Sequence, residues 1–92
     1  MVRIEGRVRA RALAGLRVVI YSRFEQWEIQ PDERDPFTLI MADGSWRADV
    51  TRSKEYAALL VDIRDNYGPA ALTPALPGVG GGVLAVDRWL GQ

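Results

Sequence analysis

Short segments in which apolar and polar residues alternate recur along this chain about every 8–12 residues, with glycine, proline and aspartate between them. A period of two places successive side chains on opposite faces of a β-strand. The longest segment spans residues 2–12, and residues 16–21 form a β-branched run typical of an interior strand. Further extended segments are predicted over residues 25–29, 37–40, 45–50 and 83–90. Six or seven short strands without a repeated unit are typical of a small all-β sandwich or barrel.

The dipeptide Asp43-Gly44 predicts the best-defined turn of the chain. Asp-Gly favours a two-residue hairpin turn in which both central residues adopt positive φ. Apolar and charged residues alternate directly after it, over residues 45–50. We therefore expect a β-hairpin that joins this segment to residues 37–40.

Residues 54–63 fit two structures. Tyr56, Leu59 and Ile63 lie at helical spacing, and Ser53 is a suitable N-cap. The same segment is an equally acceptable buried strand, since it contains an unbroken apolar run. Periodicity leaves helix and strand open at this point.

Residues 66–82 contain three prolines and five glycines, which predict a long irregular connection. The glycine-rich stretch 78–82 superficially resembles a phosphate-binding loop. It lacks the strand-turn-helix context and the Gly-Lys-Ser/Thr sequence that such loops need. We interpret it as a turning approach to the last strand.

The composition excludes most chemistry, because the 92 residues include no cysteine and no histidine. Disulfides, thiolate nucleophiles and imidazole metal sites are thereby ruled out, and we expect no catalytic residues, no cofactor and no metal. The length predicts a single domain over residues 1–92. Twelve basic and twelve acidic side chains cancel, which disfavours nucleic acid as a partner. No segment has the pattern of a membrane span or signal peptide, so we expect no membrane insertion and either a cytoplasmic protein or a domain of a larger secreted or surface protein.

Two charged groups have plain structural interpretations. The stripe formed by Arg3, Arg7, Arg9 and Arg11 is interpreted as the solvent face of an edge strand, although such a row could also follow a polyanion. The acidic residues between Pro31 and Pro36 lack the spacing of a calcium loop, so we interpret them as a solvated loop.

Eight aromatic residues remain as candidates for recognition, since exposed rings stack on sugars or anchor protein partners. We expect most of them in the core. Trp27 is flanked by polar residues and Tyr67 lies in the irregular connection, so these two rings are expected to be partly exposed. The candidate ligand-binding residues are Trp27, Tyr67, Gln26, Gln30 and Asp32.

Several motifs occur in an order that resembles a known group of domains. They are Trp27-Glu28-Ile29-Gln30-Pro31, Asp43-Gly44-Ser45-Trp46 and Glu55-Tyr56-Ala57-Ala58-Leu59-Leu60-Val61, within a likeness over residues 5–86. The chain resembles the small bacterial immunoglobulin-like modules found beside glycoside hydrolases and in other multidomain bacterial proteins. The resemblance implies an immunoglobulin-like sandwich of two antiparallel sheets, a strand over residues 56–61 and a non-catalytic module.

Two functions from different classes are therefore expected. The first is a binding or accessory module that engages a glycan or a protein partner through exposed aromatic rings. The second is a structural or oligomerisation domain in which open strand edges pair, or strands swap, between copies.

Overall fold

The computed structural model describes residues 1–91, which form two antiparallel β-sheets. The smaller sheet pairs β1 (Val2–Arg7) with β5 (Ser45–Val50). The larger sheet has six strands in the order β7-β3-β2-β6-β8, with β4 paired to β2 beyond the end of β3. Its strands are β2 (Leu16–Arg23), β3 (Trp27–Gln30), β4 (Phe37–Thr38), β6 (Glu55–Asp62), β7 (Leu72–Thr73) and β8 (Val83–Leu90). The predicted all-β class and the two antiparallel sheets are confirmed.

Strands β2 and β6 form the centre of the larger sheet and are apolar on both faces. Residues 18–22 of β2 are all buried, because successive side chains enter two different cores. Val18 and Ile20 belong to the inter-sheet core, which also contains Trp46, Val50 and Tyr56. The interior strand predicted over residues 16–21 is confirmed.

The outer core lies on the opposite face of the larger sheet. Its buried residues are Val19, Tyr21, Trp27, Ile29, Ala57, Leu59, Val61 and Val83. The long connection 66–82 covers this face, with Tyr67, Ala71 and Leu76 packed against it. Several hydrogen bonds hold the connection in place, among them the bond from the Tyr21 hydroxyl to the Ala70 carbonyl at 2.7 Å and the bond from the Ile29 amide to the Ala71 carbonyl at 2.9 Å. The connection is irregular as predicted, apart from the short strand β7.

The buried phenol of Tyr21 leads to a prediction for alkaline pH. Burial raises its pKa from 10.0 to about 12, so the unfolded chain loses this proton first. The stability that the protonated Tyr21 phenol contributes to the folded state is fully present below about pH 10 and is lost as the pH rises towards 12. The Tyr21→Phe variant has no phenol at this position and cannot lose this contribution. In urea denaturation at several alkaline pH values, we therefore expect the free energy of unfolding to fall by about 1–2 kcal/mol less in Tyr21→Phe than in the natural protein. Parallel pH curves for the two proteins would contradict this assignment.

The segment that periodicity left open is a strand. β6 spans Glu55–Asp62 and pairs with β2 on one side and β8 on the other. Since both faces are buried, its apolar residues show no alternation, which explains the ambiguity. The strand ends where the Asp62 carboxylate accepts a hydrogen bond from the Arg64 amide at 2.9 Å and caps a short 3₁₀ turn, Ile63–Asp65.

A turn closes at Asp43-Gly44 as predicted, since the Met41 amide donates to the Ser45 carbonyl at 2.8 Å, but its type and its flanking strands differ from those of the expected hairpin. Gly44 has positive φ, 88°, but Asp43 does not. The Gly44 amide donates to the Met41 carbonyl, so the glycine is the last residue of the four-residue turn 41–44 instead of standing at its centre. The flanking strands then separate into different sheets, β4 to β2 and β5 to β1. The apolar side of β5 thereby covers the inter-sheet core.

The first strand is shorter than predicted. β1 ends at Arg7 instead of continuing to residue 12. The segment after it leaves the small sheet to reach β2, whose first residue is Leu16. Among the described residues, no helix is long and apolar enough to cross a membrane.

Candidate functional site

Trp27 is not an exposed binding ring, so this expectation is wrong. Its side chain is 2% exposed and belongs to the outer core with Ile29. The guanidinium groups of Arg23 and Arg88 lie 5.6 and 5.2 Å from its ring centroid. Because the connection 66–82 and these two cations cover its face of the sheet, the ring cannot stack on a ligand.

The two arginines over Trp27 belong to a cluster with Glu55. Arg23 Nη1 lies 3.1 Å from Glu55 Oε1, and Arg88 Nη2 lies 2.9 Å from Glu55 Oε2. The two hydrogen bonds from Arg88, and then the one from Arg23, lower the pKa of the Glu55 carboxyl against an opposing effect of desolvation. This cluster was not predictable from the sequence, because its members come from three strands that only the sheet order brings together.

The other predicted ligand-binding residues do not form one surface with Trp27. Gln30 is 6% exposed, and its side-chain oxygen accepts a hydrogen bond from the Thr51 amide at 3.2 Å. Asp32 is exposed and accepts a hydrogen bond from the Arg34 amide, which orders the acidic loop. Gln26 is exposed, and Tyr67 is half-buried against the outer core. Exposure therefore leaves Gln26 and Asp32 accessible, whereas Gln30 has a structural role.

Phe24, not Trp27, is the aromatic ring exposed next to a groove. It is 43% exposed and lies in the turn between β2 and β3, where its amide donates to the Gln26 carbonyl. The groove beside it has a volume of about 680 Å³. It is lined by Arg23, Phe24, Arg52, Ser53, Lys54, Glu55, Leu90 and Gly91.

The free edge of β1 is the second candidate site. The Val8 amide donates to the Gly44 carbonyl at 2.7 Å, which extends the ladder with β5. Hydrogen bonding alternates along an antiparallel pair, so the backbone groups of Val2, Ile4 and Gly6 also face β5. Those of Arg3, Glu5 and Arg7 therefore face the other way. Within residues 1–91, no strand pairs with that side of β1.

A partly apolar groove of about 480 Å³ runs beside this edge, between β1 and β8. Its apolar lining includes Val8, Trp46, Ala58, Leu60, Ala85 and Trp89. Gly6 is required here, since a Cβ atom at this position would lie 2.6 Å from the Trp46 ring. The indole thus occupies the space that a side chain at residue 6 would fill, and lines the groove directly under the edge strand.

The solvent face of the small sheet carries paired charges. Arg3 Nε lies 3.0 Å from Asp49 Oδ1, and Arg7 Nη2 lies 3.8 Å from Asp43 Oδ2. The hydrogen bond from Arg3, followed by its charge, lowers the pKa of Asp49. Glu5 stands opposite Arg47 in the register. Arg3 and Arg7 are therefore part of a mixed-charge face, in accord with their interpretation as a solvated strand surface, whereas Arg9 and Arg11 lie beyond the end of β1 and the predicted four-residue stripe does not form on one strand.

In comparisons with protein families, curated proteins and solved structures, no match to this chain is found. Among the described residues, no group of three or more acidic side chains is placed to hold a metal ion. The free edge of β1 and the Phe24 groove are thus characterised by their geometry alone.

Proposed function

We propose that this protein is a non-catalytic binding module that recognises a protein partner by strand addition at the free edge of β1. The observation that carries the proposal is the position of unpaired edge residues beside a partly apolar groove. We also propose that the fold is an immunoglobulin-like sandwich, supported by the packing of β1 and β5 on one face of the larger sheet.

An added strand matches both parts of this site. Its backbone would hydrogen-bond to Arg3, Glu5 and Arg7, which present donors and acceptors at every second residue. Its alternate side chains would point into the groove, towards Trp46 and Trp89. Main-chain bonds supply affinity in this mode, and the side chains that enter the groove supply specificity.

A proline at the edge tests the proposal. Strand-forming peptides selected from a phage-displayed random library serve as the probe. We expect Glu5→Pro to weaken their binding at least about tenfold, because proline removes the outward-facing amide of Glu5 and leaves the ladder with β5 intact. Glu5→Ala is the matched control and keeps that amide. Binding by fluorescence anisotropy that is equal for both variants, or no selected peptide at all, would contradict strand addition.

Glycan binding is the second candidate, and it is supported by the exposure of Phe24 beside charged side chains. The ring would stack on a sugar while Arg23, Lys54 and Glu55 hydrogen-bond to its hydroxyl groups. On a glycan microarray we expect Phe24→Ala to abolish the signal and Leu72→Ala, an exposed residue outside this groove, to leave it unchanged. A signal that survives Phe24→Ala, or no signal for the unmodified protein, would contradict this candidate.

A further inference from the structure

We propose that the strand received by β1 is β1 of a second copy of this chain, so that two copies form a continuous four-stranded sheet, β5-β1-β1-β5. This inference rests on the proposed function, since it names the partner for the same edge. A two-fold dimer of this kind is isologous, with the same surface used on both copies.

The direction of the backbone groups limits how two β1 strands can pair. In an antiparallel pair centred on Ile4, Arg3 of one copy stands opposite Glu5 of the other. Both residues direct their amide and carbonyl groups to the free edge, so these are the hydrogen-bonded pairs. Ile4 then faces Ile4 in the intervening pair without hydrogen bonds, which agrees with the bonding of its own backbone to β5.

Charge and side-chain packing together favour this register over its neighbours. Centring on Ile4 places Arg3 opposite Glu5 twice, and opposite charges across a pair are stabilising. Centring on Glu5 instead would place the two Glu5 carboxylates opposite each other, and Arg3 opposite Arg7. Centring on Gly6 would place Glu5 opposite Arg7 twice, but it would also place Arg3 opposite Arg9 and two glycines, which have no side chains to pack, at the centre of the interface.

The inward-facing residues agree with the same register. Val2 of the second copy would stand opposite Gly6, with its side chain beside the Trp46 ring that fills the space over this glycine. Val2 and Ile4 are both only half-buried within one chain, and both face the inter-sheet core. The second copy therefore supplies apolar cover to the groove as well as main-chain partners.

Cysteine cross-linking tests the register, and the natural chain contains no cysteine. In the proposed dimer the two Ile4 Cα atoms would be about 4.5 Å apart, within the range that a disulfide spans. We expect oxidised Ile4→Cys to run as a covalent dimer on non-reducing gels. Val2→Cys is the matched control on the same face. Its two copies would be offset by four residues, about 14 Å along the strand, and should remain uncrosslinked.

Charge exchange tests the same pairs in solution by light scattering. We expect Arg3→Glu and Glu5→Arg each to raise the dimer dissociation constant at least about tenfold, because each places like charges opposite one another. An equimolar mixture of the two variants should dimerise again, since their heterodimer restores both opposite-charge pairs. A merely misfolded variant would not be rescued in this way.

The outcomes separate this inference from the proposed function. A monomeric natural protein that still binds selected peptides at the β1 edge overturns the dimer and leaves strand addition in place. A dimer that persists in Glu5→Pro does not need the outward-facing amide of β1 and therefore uses another surface, which also overturns the proposed dimer. Cross-linking of Val2→Cys but not Ile4→Cys overturns the register. Dimerisation together with cross-linked Ile4→Cys and rescue by mixing supports the inference.

Discussion

Replacing Trp27 with alanine is expected to lower the free energy of unfolding by about 3–5 kcal/mol, as for a large aromatic side chain removed from a core. The indole is 2% exposed and packs in the outer core, so its loss leaves a cavity between β3 and the covering connection. The same change removes the ring that lies under Arg23 and Arg88. Urea denaturation followed by circular dichroism measures the effect.

Phe24→Ala is the matched control for Trp27→Ala. Phe24 is 43% exposed and only three positions away in a neighbouring turn, so its removal should change stability by less than about 1 kcal/mol. The comparison separates a structural ring from a recognition ring. A Trp27→Ala variant as stable as the natural protein would instead favour the surface role expected from the sequence.

Substitution of Gly6 by alanine is expected to destabilise the protein by about 1–3 kcal/mol through overpacking. A Cβ atom at residue 6 would lie 2.6 Å from the Trp46 ring, and the ring is held in the inter-sheet core. Either the indole or β1 must then move. The effect opposes the usual gain in stability when glycine is replaced within a strand.

Gly78→Ala provides the control for backbone entropy. No atom lies within 4 Å of a Cβ atom built on Gly78, and the residue does not require positive φ. We expect its thermal midpoint to stay unchanged or to rise slightly. Equal behaviour of the two alanine variants in a thermal melt would show that Trp46 does not lie beneath Gly6.

The strands could be predicted from the sequence where one face is exposed to solvent, or where a run of β-branched residues is long enough to form a strand. The interior strand over residues 16–21 and the alternation after Gly44 both correspond to observed strands. Residues 54–63 were ambiguous because burial on both faces of β6 removes the period of two. The resemblance to immunoglobulin-like modules implied the strand at this position, and the kinship itself stays a prediction.

The candidate site was largely beyond prediction from sequence, because exposure depends on distant segments. Polar neighbours suggested that Trp27 is exposed, yet the connection about forty residues later covers its face of the sheet. The sequence suggested Gln30 as a ligand-binding residue, but its side-chain oxygen accepts a hydrogen bond from the Thr51 amide. Phe24 was not singled out, since nothing in its neighbouring residues distinguishes a ring at a turn tip from a ring in the core.

The sequence by itself determined which side chains share a face, the absence of cysteine and histidine chemistry and the balance of charge. These properties follow from residue type and from the local period of two. Only the tertiary structure decided which strands pair, which face of each strand is covered and which edge stays open. β5 pairs with β1 instead of β4, and Trp46 thereby lies under Gly6 beside the unpaired edge of β1. Strand pairing joins residues far apart in the chain, so the free edge at Arg3, Glu5 and Arg7 is visible only once the other strands have found their partners.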